Sequence, residues 1–179
     1  MVGIKDFITE AEKLKDEPRR GWKFKARVKH PESVADHTYG VAILAMLFAD
    51  ERGLDSEKCM KMALLHDLSE VITGDLMPGE DSNKRVEEDK AIRKLLKMLP
   101  NNISKQYLAI WKEFNQGKSK EAKLVHVLDK LEMVIQASRY RRDGIRKELL
   151  ARFVNSARTK ISDRALKRMF EEFAAASLK

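Results

Sequence analysis

The stretch PESVADHTYGVAILAMLFA (residues 31–49), read together with ALLHDLSEVITGD (residues 63–75), decides the fold. In the first, Pro31, Glu32 and Ser33 carry the marks of a helix start. Val34, Val41, Leu44 and Phe48 then recur at intervals of seven, three and four residues, until Gly53 stops the run. Such spacing draws one apolar stripe along a helix. His37 lies on that stripe, three residues after Val34 and four before Val41, so its imidazole is expected to enter the core and to need a partner there. In the second stretch, Ser56 is the expected N-cap of a helix over residues 57–73 that Gly74 ends. His66 and Asp67 follow its apolar run directly, and Glu70 lies one turn beyond His66.

Outward from these two helices the same periodicity continues. Ile4, Phe7, Ile8, Ala11 and Leu14 predict a helix from Ile4 to about Lys15, stopping before Pro18. The connector EPRRGWKFKARVKH (residues 17–30) is basic and aromatic, and Pro18 and Gly21 make it a loop or a set of short turns. Residues 75–83 read as a second loop. Further helices are expected over residues 84–99, 103–115, 120–142, 145–157 and 164–176. Strand-like alternation, internal repeats and low-complexity tracts are missing from the sequence. The expectation is an all-α single domain over residues 1–179, with its core at about 5–140 and basic C-terminal helices at 145–179 packed on it.

Composition agrees with that reading. A chain of 179 residues buries about two-thirds of its unfolded surface, and 43% hydrophobic with 36% charged residues suits amphipathic helices and excludes disorder. The single cysteine, Cys59, forms no internal disulfide and points to a reducing cytoplasm. The longest apolar run, Val41 to Ala49, is half a membrane span, and the N-terminal residues lack the pattern of a signal peptide. The net charge of +8 is concentrated in residues 139–168, where eleven Lys or Arg face three acids. A basic surface of this kind is a solvated helical face, a field that draws in an anionic small substrate, or a nucleic-acid interface.

The chemistry lies in polar side chains placed where helices are apolar. Asp129 stands four residues from both Val125 and Met133, and so joins His37 and His66–Asp67 as an ionisable group on an apolar face. Alone, a histidine there is usually a hydrogen-bonded core residue, and Asp129 could pair with a nearby cation. Together, two histidines and two aspartates on three helices satisfy one another most simply by sharing one divalent cation. Imidazole and carboxylate donors suit Mn, Co, Ni, Fe or Zn, and four protein ligands leave positions for water and a substrate oxygen. The cation would make such a water a nucleophile near neutral pH. Glu70, one turn from His66, is placed to handle a proton. Trp22 and Phe24 are either core anchors or a stacking surface for a base.

The segments PESVADHTYGVAILA, ALLHDLSEVITGD and LDKLE resemble the HD-domain phosphohydrolases, in particular the 5'-deoxynucleotidases and the related HD domain-containing protein 2 family, over about residues 5–140. The resemblance implies a helical fold and one divalent metal held by His37, His66, Asp67 and Asp129. It implies a catalytic acid/base at Glu70 and a second active-site acid at Asp75. It further implies hydrolysis of deoxynucleoside 5'-monophosphates, often by a homodimer. Enzymes of the deoxynucleotidase branch carry an arginine directly before the connector tryptophan, whereas here Gly21 precedes Trp22, so the phosphate-binding arginine is Arg20 or Arg27. His126 and His30 are candidates for a second metal, but one metal is expected, because no histidine lies between His66 and His126. The rival readings are a phosphodiesterase or nucleoside triphosphohydrolase on the same scaffold and, from another class, a helical nucleic-acid-binding module with a structural metal.

Overall fold

A computed structural model describes residues 3–77, 83–161 and 163–179. The chain begins with α1 (Ile4–Ala11), a 3-10 turn (Glu12–Lys15) and α2 (Arg20–Lys25). Then come α3 (Val34–Glu51), α4 (Ser56–Leu65), α5 (Glu70–Thr73), α6 (Lys84–Leu96), α7 (Asn101–Gln116), α8 (Lys120–Arg142), α9 (Lys147–Arg158) and α10 (Arg164–Leu178). Among the described residues the fold is all-α, and one isolated antiparallel bridge joins Pro18 to Ser33. Residues 78–82 of the expected loop lie outside the described residues.

The helix starts follow their caps. Ser33 Oγ accepts from the Asp36 N–H at 3.1 Å, and Asp36 Oδ2 accepts in return from the Ser33 N–H at 2.9 Å, a capping box that fixes where α3 begins. Ser119 caps α8 through the Ala122 N–H. For α4 the cap is Asp55, whose Oδ1 accepts from the Lys58 N–H at 2.8 Å; the expected cap, Ser56, is already the first helical residue. The connector is also more ordered than its composition suggests. Its Arg19 N–H donates to the Glu32 carbonyl, and the Val34 N–H donates to the Glu17 carbonyl. These two bonds hold α2 against the start of α3.

The expected continuous helix over residues 57–73 is broken. After His66 the backbone tightens into three-residue turns, Leu68 N–H to Leu65 O and Glu70 N–H to Asp67 O, before α5 forms and Gly74 ends it at φ +72°. Apolar periodicity runs unbroken through this segment, so the break has no signature in the sequence. Its consequence is that Asp67 and Glu70 are turned toward the same interior as His66.

At the centre lies α8, packed against α3, α4, α7, α9 and α10. A helix surrounded in this way buries side chains on several of its faces, and Val125, Leu128, Leu131, Val134 and Ala137 are fully buried. One connected hydrophobic cluster runs from Leu14 to Ala174, so α9 and α10 share the core with the elements before them.

Candidate metal centre and substrate cavity

Three elements place the ionisable residues. From α3 comes His37, 0% exposed; the end of α4 supplies His66 and Asp67; and α8 supplies Asp129. Donor atoms of His37, His66 and Asp129 all lie within 4.8 Å of one another. Asp67 closes the group, with Oδ2 3.1 Å from His66 Nε2 and 3.8 Å from His37 Nε2. Asp129 Oδ1 stands 3.4 Å from His37 Nε2.

The decisive observation is what the imidazoles do with their two nitrogens. His66 Nδ1 donates to the Ala63 carbonyl at 2.6 Å, and His37 Nδ1 donates to Glu132 Oε2 at 2.5 Å. Among the described residues, both Nε2 atoms are buried without a hydrogen-bond partner. A buried nitrogen left bare costs about 1–3 kcal/mol. Two bare nitrogens facing two carboxylates fit a divalent cation, each ring being held at its far side as metal-binding histidines usually are.

Electrostatics divides the acids into two kinds. Burial alone would raise Asp67, but the facing His66, Arg19 and His37 overcome it and hold its carboxyl well below the usual range. Burial of Asp129 is likewise overcome, by Lys130 and the two histidines, with Lys130 Nζ 2.8 Å from Asp129 Oδ2. Glu70 goes the other way. Only 4% exposed, it is pushed up to about 10 by burial and by the charges of Asp67 and Asp75, and its Oε2 is a further buried atom without a hydrogen bond. A cation in the cluster would oppose that shift. Asp75 accepts the Arg20 N–H at Oδ2, 2.6 Å, and its own N–H donates to Glu17 Oε1.

Three residues at this site stand outside the set singled out from the sequence. Arg19, rather than Arg20 or Arg27, brings its guanidinium to the cluster, 3.2 Å from Asp67 Oδ2 and 3.8 Å from Asp75 Oδ1. Arg20 meets the Asp75 carboxylate through its backbone N–H, and its guanidinium lies 3.5 Å from the Asp75 carbonyl and over Phe24, while Arg27 is exposed at φ +59°. The other two are Glu132 and Glu32. Glu32 accepts the Trp22 indole N–H at 2.8 Å, and burial with the charge of Glu132 pushes it up to about 7. The i+3 spacing of Glu132 from Asp129 was the available signal. His126 donates to the Phe114 carbonyl at 2.8 Å and stacks on that ring, and His30 is exposed.

A cavity of about 380 Å³ opens beside the cluster, and Arg19 and Asp75 belong to its lining. Apolar surface comes from Met77, Met133 and Phe153, and positive charge from Lys25, Lys130 and Arg152. Trp22 is 2% exposed, stacked on Phe153 at 4.1 Å and edge-on to Tyr140. It is therefore a core anchor that shows only an edge to the cavity. Helix α9 supplies a whole wall.

The HD domain family model matches residues 11–170, reaching well past residue 140 to include α9. The chain belongs to the HD-domain family. It is 37% identical to the mouse protein named 5'-deoxynucleotidase HDDC2 over 142 residues, 78% of this chain and 70% of that one. To the fission yeast 5'-deoxynucleotidase hdd1 it is 35% identical, over 79% of this chain and 74% of that one. A solved structure of a conserved hypothetical protein from Pyrococcus furiosus superposes with a TM-score of 0.78 at 34% identity, covering 96% of this chain and 99% of that one.

Proposed function

We infer that this HD-domain protein is a metal-dependent phosphohydrolase that converts deoxynucleoside 5'-monophosphates to deoxynucleoside and phosphate. The observation that carries the reading is the pair of buried, bare histidine Nε2 atoms facing Asp67 and Asp129 beside a cavity rimmed by Arg19. His37, His66, Asp67 and Asp129 would hold one divalent cation, and their N and O donors suit Mn, Co, Ni, Fe or Zn. When bound, such an ion polarises the phosphate and makes a coordinated water nucleophilic near neutral pH. The rest falls to the chain itself. Arg19, oriented by Asp67 and Asp75, offsets the phosphate charge. Glu70 holds a proton at its buried carboxyl and delivers it to the sugar 5'-oxygen as the P–O bond breaks. Asp75 keeps Arg19 and the start of α2 in place.

Sugar and base then lie along Met77, Met133 and Phe153. Against such a wall a 2'-hydroxyl loses its hydrogen bonds with water, which penalises ribose. Trp22, 2% exposed and stacked on Phe153, backs this wall from the core. The family resemblance further supports a homodimer, and the single buried Cys59 a reducing cytoplasm, which sedimentation and cell fractionation test; no described helix is long and apolar enough to cross a membrane. Metal-stripped and metal-restored protein should be assayed on matched deoxy and ribo 5'-monophosphates, 3'-monophosphates, diesters and triphosphates. A higher kcat/KM for the deoxy 5'-monophosphates, present only with metal, is expected. Equal values for ribose, or a preference for diesters or triphosphates, would overturn the reading.

A further inference from the structure

The two histidines of the cluster are held at their far nitrogens by different kinds of acceptor. For His66 it is the backbone carbonyl of Ala63, three residues back in the chain, which comes with the helix at no further expense. For His37 it is the carboxylate of Glu132, ninety-five residues away on α8 and 7% exposed. Burying a second acid here carries a desolvation penalty that a neutral acceptor would avoid, and Glu32 makes it worse. Donor atoms of Glu32, Glu132 and His37 all lie within 4.8 Å of one another.

The backbone of α3 leaves room for this acid. At Gly40, three residues after His37, an added Cβ would stand 2.8 Å from Glu132 Cγ, closer than real Cβ atoms approach, and a tight 3.0 Å from its Oε1. The contact involves the middle of the carboxylate arm as well as its tip, so with alanine at this position the arm that bonds His37 has to shift. Both the side chain and the space for it thus serve one hydrogen bond.

We propose that Glu132 is a positioning residue for the metal, holding His37 as the Nδ1–H tautomer with Nε2 bare toward Asp129, and that Gly40 provides the space this requires. The bond also enriches the ring as a donor, because a carboxylate partner raises imidazole basicity. The inference rests on the reading that His37 holds a metal, and it adds a residue outside the ligand set and outside the acids that handle the proton.

Metal-stripped protein titrated with Co²⁺, followed by the visible absorption of bound cobalt, tests it. Glu132→Ala is expected to weaken Co²⁺ binding about 10- to 100-fold, the usual effect of losing such a partner. Glu132→Gln, which still offers an acceptor to Nδ1–H, should recover part of the loss. Gly40→Ala should weaken binding although every acid is intact, and Glu148→Gln, on an exposed side chain, should match the wild type. Wild-type affinity in both Glu132→Ala and Gly40→Ala overturns this inference alone. A wild-type protein that takes up no Co²⁺ overturns the metal reading and this inference with it. Should the variants fail to fold, ¹⁵N NMR of the wild-type, metal-free protein at alkaline pH, where the imidazoles are neutral, decides: His37 carrying its one proton at Nδ1 is expected, and the Nε2–H tautomer overturns the proposal.

Discussion

The metal end of the site and its cavity end are built on opposite plans. At the metal end, His37, His66 and Asp129 are rooted in α3, α4 and α8, and both imidazoles are locked by a second hydrogen bond. At the cavity end the wall is drawn from α2, residues 75–77, α9 and two residues of α8, with Lys25, Lys130 and the exposed Arg152 reaching in on long side chains. Rigid placement is what a metal requires and what a reacting phosphate exploits. A wall of methionines and flexible cations adapts to different bases. Damage to the first region should therefore be all-or-none, and damage to the second graded.

The sharpest break is His66→Ala, expected to remove bound metal and turnover together; full metal content by elemental analysis in this variant would remove His66 from the ligand set. Glu70→Gln should keep the metal and the fold while turnover falls about 10²-fold or more, the size of a general acid/base contribution, and near-normal kcat would move the proton to another group. At the border of the two regions, Arg19→Ala should lower kcat/KM by about 10- to 100-fold, the worth of a charged hydrogen bond to phosphate, with metal retained. Arg152→Ala, exposed at the far wall, should change KM by about threefold or less, and the change should fade as salt is added. A loss at Arg152 as deep as that at Arg19 would erase the contrast between the two ends.

Subtler still is a drift of stability with pH in the metal-free protein. Glu70, Glu32 and His37 all have folded-state pKa values above their ordinary ones, about 10, 7 and 9. Each therefore binds more protons folded than unfolded between its two values, and its contribution is lost as pH rises through that interval. Melting temperature without metal should fall from about pH 5 to pH 9, while the increment gained on adding metal should grow, since the ion takes the place of the proton on His37. A metal-free melting temperature that rises over this range would show that these groups are not the ones setting the balance.

The convergence of His37, His66, Asp67 and Asp129 was legible because these residues break the rules of their own helices. A histidine and an aspartate on apolar faces of α3 and α8 violate the pattern that otherwise places every element. Arg19 was not legible, because it sits beside Arg20 in a basic connector and only the turn into α2 decides which guanidinium faces Asp75. Nor was Glu132, since a glutamate on a long helix is ordinarily a solvated residue and burial comes from packing against α3. Asp75 came from resemblance rather than pattern. The wall made by α9 depends on Phe153 meeting Trp22 across more than a hundred residues of chain, a tertiary contact with no local trace.

Gly40 has a consequence for anyone seeking a hardier version of this protein. A glycine inside an 18-residue helix ordinarily weakens it by about 1 kcal/mol relative to alanine, which makes the position an obvious target for thermostabilisation by design or by selection for heat tolerance. Here the usual gain is set against the arm of Glu132, so alanine at this site would trade backbone propensity for a displaced acid. Libraries screened on melting temperature in the absence of metal are blind to half of that exchange. They should be ranked on metal-loaded protein, where the glycine's contribution to function becomes visible as heat resistance.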